Sequence, residues 1–117
     1  MIAVAIACAG ALGAPARLLL ERAITRRHGH EFPWGTACVN LFGSFALGLL
    51  VGLVEYHGWD HTAAKIAGFG FLGAFTTFST FAVQTTRLAT PLRIRYVVVS
   101  VGGGLALAAS GLALASL

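Results

Sequence analysis

Four apolar stretches, at about residues 2–20, 34–54, 66–86 and 94–117, take up most of this chain. Each is close to the ~20 residues that carry an α-helix across the ~30 Å hydrocarbon layer of a membrane. In lipid every backbone N–H and C=O must be satisfied inside the protein, so only helices and closed barrels span it. The short alternating segments of a barrel are absent. A soluble domain of 117 residues, 57% of them hydrophobic and 10% charged, could not hide so much apolar surface. The sequence therefore predicts an all-α membrane protein, with four transmembrane helices forming a single unit over residues 1–117.

The connections agree. "ERAITRRHGHEFP", "EYHGWDHTAAK" and "RLATPLR" carry most of the charge, with Pro91 read as lying outside a central helix. Trp34, Tyr56, Trp59 and Tyr96 fall at span edges, where amphipathic rings settle. The first stretch reads as a retained span rather than a leader, because Arg17 follows its apolar run instead of preceding it. Cys8 and Cys38 have neither metal-ligand nor redox spacing and read as packing residues. Arg17, Arg22, Arg26, Arg27, Arg87, Arg93 and Arg95 fall on one side of the membrane, and Lys65 alone on the other. By the positive-inside rule the first and third connections face the cytoplasm and both termini lie outside.

Function classes narrow quickly. There is no nucleophile–base pair and no phosphate loop, so the chain does not read as an enzyme. Glu21, Glu31, Glu55 and Asp60 all sit at or beyond the expected span ends. A proton-coupled carrier usually keeps a carboxylate within the membrane, which disfavours the alternative of a small four-helix multidrug-type exporter. His57, Asp60 and His61 lack a full ligand set for a metal. His28 and His30 read as solvated loop residues.

Polar residues inside the spans carry what chemistry there is. Thr36, Asn40, Ser44, Gly48 and Gly52 recur every four residues along the second span. Gly48 and Gly52 form a small-xxx-small face for helix packing. Asn40 is costlier: an unpaired amide in hydrocarbon loses several kcal/mol, so it must meet a partner or line a wet cavity. The third span holds "FLGAFTTFSTF", where Thr76, Thr77, Ser79 and Thr80 crowd near the midpoint. Such residues compete with helical backbone bonding, and the run predicts a helix interrupted midway. Freed carbonyls there suit a cation. Phe78 and Phe81, three apart on one face, present ring edges whose positive quadrupole end suits a small anion. Tyr96, Ser100 and Gly104 repeat a four-residue spacing in the last span.

"GTACVNLFGSFALG" followed by "GFLGAFTTFSTF", with "GALGAPAR" in the first span, resembles the CrcB or Fluc family of small bacterial fluoride channels. The resemblance covers essentially the whole chain. It implies an antiparallel dimer in the bacterial inner membrane that passively exports fluoride from the cytoplasm and limits its toxicity. By match to the motifs, Phe78 and Phe81 would meet the ion, and Asn40 would donate its amide to the pathway. Ser79 and Thr80 would supply nearby hydroxyls, and Arg17 would stand near the aqueous vestibule. Gly73 and Thr76 would offer backbone carbonyls to a structural Na⁺ that is bound and not transported. Tyr96 and Ser100 are nominated as fourth-helix track residues. The chain departs from the family at Leu18, where members often carry an aromatic. The charge bias is a further departure, because a homodimer of antiparallel subunits needs one chain to insert both ways. The partner is therefore either a second copy or an oppositely oriented paralogue, and a non-conducting subunit of a heterodimeric channel is a further alternative.

Overall fold

The computed structural model describes all of Met1–Leu117, and every regular element in it is helical. We number them α1 (Ile2–His28), α2 (Trp34–His57), α3 (61–75), α4 (Ser79–Arg87) and α5 (Thr90–Ala115). α1, α2, the α3–α4 pair over His61–Arg87, and α5 are each long and apolar enough to cross a membrane. The longest dimension of the molecule is 45 Å, about that of a bilayer with its headgroups.

Two helix ends differ from the sequence reading. α1 continues past Leu20 to His28, because the polar residues there still favour a helix. Arg26, Arg27 and His28 in its last turn suit the negative end of the helix dipole. Gly29, at φ 80°, then ends it by returning its N–H to the Thr25 carbonyl. Glu21 therefore lies within α1 and not beyond it. Its side chain is only 17% exposed and sits 3.7 Å from Arg17, level with Gly35 at the start of α2 and so near the membrane edge. α5 in turn starts at Thr90, so Pro91 falls in its first turn, where a missing N–H costs nothing. The third connection shrinks to residues 88–89.

Small residues decide how the helices meet. α2 and α5 form the most extensive contact and run parallel: Ser44 meets Gly104, Gly48 meets Ala108, and Gly52 meets Ala115. A Cβ on Gly48 would fall on the Ala108 carbonyl, and one on Gly111 on the Phe45 carbonyl. The small-residue stripe of α2 is thus used inside the chain, to bring two backbones together. α1 packs in the same way on α3, with Gly13 against the Phe71 carbonyl and Gly70 against Ile6. Ile66–Leu72 in α3 and Val98–Gly102 in α5 widen to π-helical turns, a local distortion that marks functional sites more often than ordinary helix.

The end that holds the α2–α3 connection and the C-terminus of α5 is tied down by two polar contacts. Asp60 accepts the Ala63 N–H at 3.1 Å and caps the start of α3. His57 Nε2 donates to the Ala115 carbonyl at 2.6 Å, joining the C-terminal ends of α2 and α5. No three of the His, Cys, Asp and Glu side chains converge as a metal site would require. Both cysteines are free, Cys8 exposed and Cys38 half-buried.

Candidate functional site

The site begins where the third span loses its helix. α3 stops at Phe75, and Thr76 turns extended, with φ −85° and ψ 162°. Four hydroxyls, three of them on β-branched threonines, give the backbone other bonds to make there. Each freed group finds a partner. Thr76 Oγ1 donates back to the Leu72 carbonyl at 2.9 Å. Arg17 Nε, from α1, donates to the Ala74 carbonyl at 3.3 Å. Asn40, from α2, donates from Nδ2 to the Thr77 carbonyl at 2.8 Å and accepts the Thr77 N–H on Oδ1 at 2.7 Å. Thr77 Oγ1 accepts the Thr80 N–H at 3.2 Å and so starts α4. Two flanking helices therefore hold the break from either side.

Beyond the break the aromatic rings form a row. The Phe78 and Phe81 centroids are 5.8 Å apart, tilted by 48°, and Phe81 lies 5.1 Å from Tyr96. Tyr96 meets Phe32 edge-on at 5.5 Å. Phe78 is 79% exposed, whereas Tyr96 is fully buried. With α5 starting at Thr90, Tyr96 lies two turns inside, and its hydroxyl is satisfied by donating to Gln84 Oε1 at 2.9 Å.

Next to the break runs an open cleft of about 720 Å³, and Asn40, Gly73, Thr76, Phe78, Phe81 and Ser100 all line it. Six of the residues singled out from sequence thus meet in one place. Four others, Arg17, Ser79, Thr80 and Tyr96, are not part of its lining. Arg17 bonds to the break from α1, and Tyr96 stands behind Phe81. Ser79 Oγ lies 3.4 Å from Thr77 Oγ1, and Thr80 serves the start of α4 through its N–H. The Ser100 hydroxyl oxygen is enclosed and has no protein partner, which leaves a polar atom ready to bond to something else.

This arrangement offers neutral polar groups and aromatic rings in place of formal charge. Near Asn40, Phe78 and Phe81 the cleft is lined by an amide, hydroxyls and aromatic rings and by no charged side chain; its charged residues, Glu55 and Lys65, lie at the end of α2 and the start of α3. Asn40 Nδ2 spends one N–H on Thr77 and keeps a second. Gly73 and Thr76 line the same cleft through an exposed glycine and an extended residue.

Sequence reasoning missed the roles of three residues, Thr77 having been read only as one of the crowded hydroxyls. Thr77 is the one Asn40 clamps, and a hydroxyl three residues before the Thr80 N–H is a recognisable helix-start signal. Gln84, the partner of Tyr96, gave no such signal, since its role depends on α4 lying against α5. Arg93 was counted only for topology, yet its guanidinium bonds to the end of α4.

Comparison with known proteins agrees with this picture. The family described as "CrcB-like protein, Camphor Resistance (CrcB)" matches residues 4–112. The chain is 41% identical, over 97% of its own length and 85% of the relative's, to a protein named fluoride-specific ion channel FluC 1 from Leifsonia xyli subsp. xyli. A FluC 1 from Symbiobacterium thermophilum is 54% identical over 69% of this chain and 67% of its own. A FluC 2 from Mycobacterium bovis is 42% identical over 87% of this chain and 81% of its own. Four membrane-crossing helices, a clamped break and a match across nearly the whole length place this chain in the CrcB-like family, as a multi-pass bacterial membrane protein.

Proposed function

We propose that this chain is a pore-forming subunit of a fluoride-specific channel that lets F⁻ leave the cytoplasm down its gradient. The observation that carries this reading is the break held by Asn40, which sets Phe78 and Phe81 on an uncharged part of an open cleft. Ring edges and an amide N–H attract a small anion without a fixed cation that would trap it. The names of its relatives favour fluoride as that anion. Passive movement fits the absence of a carboxylate from the middle of any span.

A second subunit completes the pathway. Phe78 is 79% exposed on an open cleft in a single chain, an apolar surface suited to burial against a partner. The partner is a second copy in antiparallel orientation or an oppositely biased paralogue, and the seven-to-one Arg and Lys asymmetry favours the paralogue.

A structural Na⁺ fits the same region. Gly73 and Thr76 would hold it through neutral backbone carbonyls, as interrupted membrane helices commonly do. The ion would fix the break and carry no current. Two carbonyls from one chain do not complete the shell of such a cation, so the second subunit would supply the rest.

The experiment that tests the reading is fluoride efflux from liposomes holding only this purified chain. A K⁺ gradient with valinomycin drives it, a fluoride electrode reads it, and chloride serves as the comparison. Fluoride-selective efflux supports a pore made by this chain alone. If folded protein stays silent even with Na⁺ and a partner subunit supplied, the channel reading is wrong.

A further inference from the structure

Arg93 does something the other cytoplasmic arginines do not. Of the seven arginines, only Arg17 and Arg93 hydrogen-bond to the rest of the chain. Arg93 Nε donates to the Thr85 carbonyl at 3.0 Å, and Nη2 donates to Leu88 at 3.1 Å and Thr86 at 3.4 Å. Thr85 and Thr86 lie in the last turn of α4 and Leu88 is the residue that ends it, the place where a helix runs short of its own N–H donors. A planar fork carrying a positive charge answers both needs, covering the carbonyls and opposing the negative end of the helix dipole.

What makes this more than an ordinary cap is the helix it serves. α4 carries Phe81 and follows directly on Phe78, yet none of its residues is buried. It has the thinnest packing of the five helices. Its side-chain contacts to α5 are Phe81 against Tyr96 and Gln84 bonded to Tyr96. The core holds this short helix at one place, where half-buried Phe81 packs on the cluster of Phe32, Ala37 and Tyr96. The rest of its orientation comes from its ends. Asn40 and Thr77 hold the start, and Arg93 holds the finish across the two-residue turn at 88–89.

We propose that Arg93 is a positioning residue for the anion pathway: its fork on the Thr85, Thr86 and Leu88 carbonyls fixes the tilt and rotation of α4, and with them the Phe78 and Phe81 ring edges. This inference rests on the channel reading above for its consequence in flux, though not for its consequence in structure. A rival account gives Arg93 only a free charge that draws anions to the cytoplasmic mouth. The two accounts part at lysine, which keeps the charge and loses the fork.

The test compares the full-length wild-type chain with Arg93→Lys and Arg93→Gln. It uses fluoride efflux from liposomes, assembly by size-exclusion chromatography, and amide hydrogen exchange over residues 80–88. Arg93→Lys and Arg93→Gln are expected to assemble normally, to exchange faster along α4, and to lose flux alike. A small misplacement of the ring edges is expected to cost roughly tenfold or more in flux. Wild-type flux in Arg93→Lys overturns the proposal in favour of free charge. Unchanged exchange along α4 in both variants overturns it as well. Exchange reports on α4 whether or not ions pass, so a silent wild-type chain counts against the channel reading and leaves the fork to be judged by exchange.

Discussion

Asn40 and Thr77 exchange two hydrogen bonds, Nδ2 to the carbonyl at 2.8 Å and the N–H to Oδ1 at 2.7 Å. One side-chain amide thereby takes the place of a helix neighbour for a peptide group that has left the helix. This is how a span can interrupt its backbone at membrane depth. The polar residue the sequence could not pair is thus the support for the residues that face the cleft.

Asn40→Ala should be strongly destabilising for that reason. It leaves the Thr77 N–H and carbonyl unpaired, at a cost of about 1–3 kcal/mol for each buried group left unsatisfied. Ser44→Ala is the matched control, because Ser44 Oγ only bonds back to the Asn40 carbonyl at 2.8 Å within the same helix. Its cost should stay within about 0.5 kcal/mol. Thermal unfolding in detergent reads both, and equal midpoints for the two variants would remove Asn40 from its supporting role.

Phe78→Ile separates chemistry from packing. At 79% exposure Phe78 contributes little to the fold of the single chain, so stability should hardly change. The quadrupolar edge disappears while apolar bulk remains. Fluoride efflux from liposomes should collapse in protein that still elutes as folded. Undiminished flux would exclude the role given to this ring. Phe81→Ile should lose stability as well as flux, since Phe81 also packs 5.1 Å from Tyr96.

Gly48→Val tests the parallel pairing of α2 and α5. Any side chain at Gly48 meets the Ala108 backbone, which cannot move aside as a flexible side chain would. Overpacking of this kind typically costs about 1–3 kcal/mol. Gly102→Ala is the contrast, because nothing lies within 4 Å of a Cβ placed there. The two variants should differ clearly in unfolding temperature and in yield of folded protein. Similar behaviour would mean that the helices have room to separate.

The charge bias predicts one orientation in the membrane. With seven arginines on one side and Lys65 on the other, cysteines placed at the two termini of a variant lacking Cys8 and Cys38 should react with an impermeant reagent from outside only. Labelling from both faces of intact cells would sink the fixed-orientation reading and make a second copy of this chain a sufficient partner.

Much of the architecture could be read directly. Hydrocarbon thickness and the need to satisfy every backbone group act on any ~20-residue apolar run, so span number and helix type follow from composition and length alone. The crowded hydroxyls at Thr76, Thr77, Ser79 and Thr80 marked the place where α3 gives out, because their competition with the backbone is local. Helix ends were less legible. Apolar residues end where the lipid ends, while α1 runs on through Glu21 and Arg22 to His28 because helix propensity does not need lipid.

What the sequence could not determine was which groups answer one another across the chain. Thr77 with Asn40 is separated by 37 residues, Arg17 with Ala74 by 57, and His57 with Ala115 by 58. Tyr96 with Gln84 and Arg93 with the end of α4 depend on a two-residue turn folding two helices back on each other. Periodicity assigns a side chain to a face of its own helix, but the neighbour that face meets is set by helix packing. Here that packing is governed by small residues such as Gly48 and Gly111, where backbones touch. The sequence alone determined a four-span membrane protein with an oxygen-rich break. Only the tertiary structure decided which polar atoms the break consumes and which remain for an ion.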